Sequence, residues 1–317
     1  MAAVRGYQRP FAGGPVGPLI PYFDVPVFQV GPLPIHGFGI LVALGFVIGG
    51  HLATERAKRL GLDPDVINRL IGWLVLGTFV GGKLGYGLMY AFDEYMANPS
   101  LFLYPWGGLS SFGGFLVCVP LSIIYFRVNK VPVWPYVDCL AYGLTVGWFL
   151  GRMGCTVAHD HPGTPANDFF LGIYCKPVEG HTLNLPEFMI DASHAGQAWG
   201  PCRDNPEVYA AHDMGFYEAL WSLGMYGLFR LMDRIPRTAG IYALILGAAY
   251  GPARFAMDAL RPETTDGRVL WFTPGQWWSL VFFLVCTGLL VWRLKTGEKT
   301  TFAPPEDDSG ADDAPAA

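Results

Sequence analysis

The chain has 317 residues, of which 52% are hydrophobic, 15% aromatic and only 15% charged, with a formal net charge of -5. A soluble domain carries roughly 25% charged residues, so this composition excludes an ordinary water-soluble fold. The acidic balance and the lack of a basic surface outside short loops argue against nucleic acid as a partner.

In chain order, residues 1–36 are rich in Pro and Gly with scattered aromatics and lack the continuous apolar core of a signal peptide, which predicts an external arm along the membrane interface. Apolar runs long enough to cross the hydrocarbon core then recur near Gly37–Ala53, Leu70–Phe92, Gly107–Phe126, Trp134–Arg152, Gly215–Met232, Ala239–Met257 and Pro274–Trp292. The expectation is an all-α membrane protein with seven transmembrane helices over residues 37–296, interrupted by an external head insertion at 159–211. Gly-rich spans two, three and four predict helix contacts through small residues. Residues 297–317, with Glu306, Asp307, Asp308, Asp312 and Asp313 among Ala and Pro, cannot bury a core and predict a disordered cytoplasmic tail.

Orientation follows from the basic residues between spans. Arg56, Lys58, Arg59 and Arg69 separate spans one and two; Arg127 and Lys130 separate three and four; Arg230, Arg234 and Arg237 separate five and six; Arg293, Lys295 and Lys299 follow span seven. These loops are assigned to the cytoplasm. Leu84–Phe126 has no Lys or Arg, as an external connection should. The N-terminus and the long Thr164–Ala211 segment are then external. Cys118, Cys139 and Cys286 read as buried apolar residues, and Cys155 as a packing residue beside Gly154 or a thiol nucleophile. Cys175 and Cys202, in an oxidising compartment on this orientation, are candidates for a disulfide.

Arg152 lies at the end of span four on the side without the other cations. A guanidinium there either snorkels to the interface or faces a cavity and holds an anion. Arg254 and Arg261, at the end of span six, pose the same choice. If an anion is shared, the ends of spans four, five and six must converge, with one of His159, His161 or His212 nearby.

Five stretches in order carry a resemblance: Pro34-Ile35-His36-Gly37-Phe38-Gly39, Gly81-Gly82-Lys83-Leu84-Gly85-Tyr86, Trp106-Gly107-Gly108-Leu109-Ser110, Gly151-Arg152-Met153-Gly154 and His212-Asp213-Met214-Gly215-Phe216-Tyr217-Glu218. Tyr250–Arg261 and Gly275-Gln276 extend it. Over about residues 22–296 the chain resembles prolipoprotein diacylglyceryl transferase, a bacterial inner-membrane enzyme. Phe112 stands where the family's loop carries histidine, Phe38 where it has tyrosine, and Cys155–His161 replaces its usual Asn-Phe-x-Asn-x-Glu.

The resemblance implies transfer of diacylglycerol from phosphatidylglycerol to the cysteine of a lipoprotein precursor, in the inner (plasma) membrane, with no cofactor. A relative that uses another acceptor, and a non-enzymatic phospholipid-binding protein, stay open. Displacing a phosphate ester by a thiol needs cations on the leaving phosphate and a base for the thiol proton. Arg152, Arg254 and Arg261 suit the phosphate. His212, at the opening of span five, and His159, Asp160 and His161 are the candidate bases, a role each histidine can fill near neutral pH. His36, Tyr86, Glu218, Gly107 and Gly108 complete the expected substrate site, with Glu218 paired to an arginine and Asp258 paired to Arg254 one turn before it. His159-x-His161 with His181 and His194 lacks a recognised ligand spacing, so no metal is expected.

Overall fold

A computed structural model describes residues 17–31, 33–103, 108–262, 268 and 270–297. The helices are α1 (Gly37–Arg59), α2 (Pro64–Met89), a short α3 (Phe92–Ala97), α4 (Ser111–Val128), α5 (Val133–Ala158), a single-turn α6 (Pro201–Asp204), α7 (Met214–Met232), α8 (Ile241–Asp258) and α9 (Pro274–Thr296). The seven long ones coincide with the seven apolar stretches, with ends displaced by at most six residues. Three of them, α1, α2 and α9, are long and apolar enough to cross a membrane. The apolar part of α4 is shorter, Gly113–Val128. In α5, α7 and α8, Gly, Pro, aromatic and charged residues dilute the apolar content.

The apolar side chains of α9 show why the protein is membrane-located. Trp278, Phe282, Leu284, Val285, Val291 and Leu294 are all exposed. Leaving such side chains in water forgoes about 1.5–3 kcal/mol each, a cost that acyl chains remove.

Helix ends are set by local chemistry. The last turn of α1 carries Arg56, Lys58 and Arg59, which suit the negative end of its dipole, and Gly61 follows with φ +66°. Helix α2 starts at once, with Asp63 accepting from the Asp65 amide and Pro64 at the first position, where its missing N–H costs nothing.

The chain divides into two compact units, residues 44–147, 225–247 and 285–317 in one and residues 1–43, 148–224 and 248–284 in the other. In the first, Gly81 and Gly85 of α2 meet Gly113 of α4, and Gly49 of α1 meets Gly143 of α5. A Cβ on Gly143 would sit 2.1 Å from the Gly49 carbonyl oxygen, so only glycine fits. The small-residue contacts expected of these helices are thus present. Arg56, assigned above to a cytoplasmic loop, is instead buried in the last turn of α1. It is ion-paired to Asp233, and its guanidinium lies 4.0 Å from the centre of the Tyr242 ring.

The other unit contains the head, and here the all-helical expectation is corrected. Short strands β1 (Tyr22–Phe23), β2 (Val27–Val30), β3 (Leu33–His36), β4 (Pro162–Pro165), β5 (Ile173–Tyr174), β6 (Thr182–Leu183) and β7 (Ala210–Asp213) are present. They form a β2–β3 hairpin, a parallel β1–β6 pair and an antiparallel sheet in the order β4-β7-β5. From residue 17 on, the described part of the N-terminal segment is bonded to this unit: Leu19, Ile20 and Tyr22 bond the backbone of Phe170, Tyr174 and His181. Periodicity could not reveal strands of two to four residues. Cys175 and Cys202 form the expected disulfide, buried with Val208 and Ala211. The tail lies outside the described residues apart from Gly297.

Candidate functional site

The site is built around one carboxylate. Glu218 of α7 is fully buried, and its two oxygens are ion-paired to Arg152 Nε and Arg254 Nη1, each at 2.7 Å. Trp148 Nε1 at 3.3 Å and the Tyr250 hydroxyl at 3.4 Å also donate to it. A buried charge persists only when paired and hydrogen-bonded, and here two ion pairs and the two further donors meet that need. The Arg152 guanidinium also lies 4.8 Å from the centre of the Trp148 ring.

A second carboxylate continues the network. Asp258, at the end of α8, lies 3.4 Å from Arg254 Nη2, as its i, i+4 spacing predicts, and 3.3 Å from Arg261 Nε in the turn that follows. The hydroxyl of Thr273 donates to it. Thr273 is itself fixed by a capping box at the start of α9: its Oγ1 accepts from the Gln276 amide and Gln276 Oε1 accepts from its amide, both at 3.1 Å. That is the structural role of the Gly275-Gln276 motif. Three guanidiniums against two carboxylates leave one net positive charge.

A third group lies beside Arg152, whose Nη1 is 3.8 Å from Cys155 Sγ. Helix α5 ends in a Schellman turn: the amide of His159 bonds the Thr156 carbonyl and that of Asp160 the Cys155 carbonyl, with His159 at φ +54°. This turn folds Asp160 and His161 back over Cys155, so that ligand atoms of all three lie within 4.8 Å of one another. His161 Nδ1 donates to Asp160. Burial works against a charged His161, but hydrogen bonds to Asp160 and the Cys155 thiol outweigh it and raise the group to about 9.

The other histidines are placed differently. His159 is held in the head: Nε2 donates to the Phe23 carbonyl at 2.9 Å, and the ring stacks on Trp199 with centroids 4.3 Å apart. Burial lowers its pKa. His212 does not open span five; it is on β7, and α7 begins after the buried Asp213, which caps it by accepting from Phe216 N at 2.7 Å. His212 Nδ1 lies 2.8 Å from the Tyr217 hydroxyl, which bonds the Leu171 carbonyl at 3.3 Å. A carbonyl can only accept, so the hydroxyl proton goes to Leu171 and Nδ1–H donates to Tyr217. The lone pair is then on Nε2. Burial lowers the pKa of His212 as well.

The other described residues of the expected site have surroundings of their own. His36 ends β3, exposed and opposite Val27 in the hairpin. Tyr86 is on α2 beside Tyr90 and Tyr95, and a Cβ on Gly108 would meet its ring at 2.1 Å, so Gly108 makes room for it. Gly107 lies outside the described residues, as does the side chain of Phe112. Trp148 and Tyr250 were missed. Each stands four residues before an arginine of the site on the same helix, and that spacing was the available signal.

A model of the prolipoprotein diacylglyceryl transferase family matches residues 26–292. The chain belongs to this family. Relatives named phosphatidylglycerol–prolipoprotein diacylglyceryl transferase, from Salmonella choleraesuis, Salmonella enteritidis and Salmonella paratyphi C, are each 28% identical over 282 residues, covering 87% of this chain and 94% of theirs. Family and relatives are transferases by name, so the chain is a transferase of the membrane-bound prolipoprotein diacylglyceryl transferase family.

Proposed function

We propose that the chain moves the diacylglyceryl group of phosphatidylglycerol onto the cysteine thiol of a lipoprotein precursor in the bacterial inner membrane. The observation that carries the reading is Glu218 held between Arg152 and Arg254. Two guanidiniums that share one carboxylate keep a surplus charge and planar donor faces, which suits a single phosphodiester. The apolar stretches and the loop cations support seven spans with the head and N-terminus external, the C-terminus cytoplasmic and this cluster at the outer leaflet.

In the reaction the thiol sulfur attacks the glycerol carbon of the diacylglyceryl group. The sulfur–carbon bond forms, the carbon–oxygen bond to phosphate breaks, and glycerol phosphate leaves with the electron pair. Arg152 and Arg254 stabilise the growing phosphate charge. His212, neutral and with its lone pair on Nε2, takes the thiol proton. His161, raised toward a permanent charge by Asp160, is no proton acceptor at neutral pH. His159 is structural, because the head holds its ring. Arg261 and Asp258 position Arg254.

The test is transfer of labelled diacylglycerol from phosphatidylglycerol to a peptide bearing a lipoprotein cysteine, in membranes lacking the host enzyme. The unaltered chain transfers, and Arg152→Ala loses about a hundredfold or more, the usual cost of one contact to developing charge. Arg152→Lys recovers little, since an ammonium lacks the planar fork. Phospholipid binding without transfer by the unaltered chain would overturn the enzymatic reading.

A further inference from the structure

We propose that Cys155, Asp160 and His161 form a zinc-type metal site whose open fourth position takes the acceptor thiol. The second half rests on the transferase reading above; the site itself does not. The sequence spacing gave no hint of it, because two of the ligands adjoin in the chain and the third is five residues earlier in a helix. Folding supplies what the spacing lacks.

Three observations converge. Sulfur, nitrogen and carboxylate oxygen all lie within 4.8 Å of one another. Ligands bound at about 2.0–2.3 Å in a tetrahedron stand about 3.3–3.8 Å apart, so small side-chain rotations close the set on one ion. The backbone beneath is anchored by the Asp160–Cys155 bond of the Schellman turn and by the His161 carbonyl, which accepts from Met214 N at 3.1 Å. A thiolate, an imidazole and a carboxylate with one position left open is the donor set of catalytic rather than structural zinc, and the sulfur disfavours magnesium and calcium.

The surroundings fit as well. A dication with one thiolate and one carboxylate is neutral, so it can lie beside Arg152, 3.8 Å from the same sulfur, without repelling it. Asp160 and His161 line a cavity of about 530 Å³, bordered also by Thr164, Arg203 and Arg261, through which an ion and a peptide cysteine can enter. A thiol that coordinates a divalent ion is deprotonated outright. Bound there, the acceptor gives its proton to His212 and stands as a thiolate next to the guanidinium that holds the phosphate. Binding the ion displaces two protons, the one His161 shares with Asp160 and the thiol proton of Cys155.

The experiment uses the full chain in lipid nanodiscs, stripped of metal and titrated with Co²⁺. One equivalent binds, with a sulfur-to-cobalt charge-transfer band that Zn²⁺ abolishes by displacing the cobalt. Cys155→Ser removes the band. Asp160→Asn and His161→Gln, at partly exposed positions that folding tolerates, weaken binding at least tenfold with the band retained at saturation. A peptide with the lipoprotein cysteine intensifies the band, and its serine analogue leaves it unchanged. Cobalt binding no tighter than that of His161→Gln overturns the site. A site that ignores the cysteine peptide overturns the thiol-binding half. If cobalt and peptide both bind while phosphatidylglycerol gives no transfer with zinc restored, the transferase reading falls and the metal site stands. Full transfer by metal-stripped chain overturns the catalytic role of the ion and leaves the transferase intact.

Discussion

Glu218 shows how one residue decides the state of two others. It is fully buried and holds both Arg152 and Arg254. Glu218→Gln keeps the volume but removes the charge, leaving two guanidiniums facing a neutral amide. Breaking a buried pair in this way costs about 3–5 kcal/mol. The variant should show a lowered thermal midpoint in detergent, restored in part by phosphatidylglycerol, whose phosphate replaces the missing charge. An unchanged midpoint would mean that the arginines do not depend on the carboxylate. His212 gives a second prediction. Burial holds its pKa below the usual 6.5, so it stays neutral and able to accept a proton at slightly acidic pH. A base works above its pKa, so transfer should persist through pH 6.5 and fall only at lower pH, where the ring protonates. His212→Gln should remove that acidic limb from the profile of kcat/KM, and a limb that survives assigns the base elsewhere.

At the scale of elements, helix ends do the positioning. The Schellman turn closing α5 brings Asp160 and His161 to Cys155, Asp213 caps α7 just ahead of Glu218, and the capping box of α9 fixes Thr273 against Asp258. Thr273→Ala should therefore act twice. The lost cap costs about 1 kcal/mol of stability. Asp258 also loses a donor, so the hold on Arg254 loosens and KM for phosphatidylglycerol rises with kcat less affected. Equal loss in both parameters would place Thr273 outside substrate binding. The arginines, Glu218 and the Arg254–Asp258 pair were legible in the sequence because an intramembrane charge must find a partner and helical spacing says which. The Cys155 cluster was not, because it depends on His159 adopting a left-handed conformation that no pattern announces. His212 was misplaced for a related reason: β7 is four residues long, too short for an alternation to separate it from the helix it precedes.

For the whole molecule, the side of the membrane that carries the head decides which substrates the site can meet. The proposed topology has residues 159–211 outside; the loop cations support it, and so does the Cys175–Cys202 disulfide, since reducing pools keep cytosolic thiols apart. The two cysteines are 27 residues apart, and closing a loop of that size contributes roughly 3 kcal/mol on chain-entropy grounds. Single reporter cysteines test the arrangement directly. His194→Cys, at an exposed head position, should react with a membrane-impermeant maleimide in intact spheroplasts. Lys58→Cys, exposed at the end of α1, should react only after the membrane is opened. The disulfide should resist cytosolic reductant yet yield to an added impermeant reductant after partial unfolding, with a lowered thermal midpoint. Labelling of Lys58→Cys in sealed spheroplasts would invert the topology, and with it the assignment of Arg152, Arg254 and the Cys155 cluster to the outer leaflet, where an exported lipoprotein cysteine can reach them.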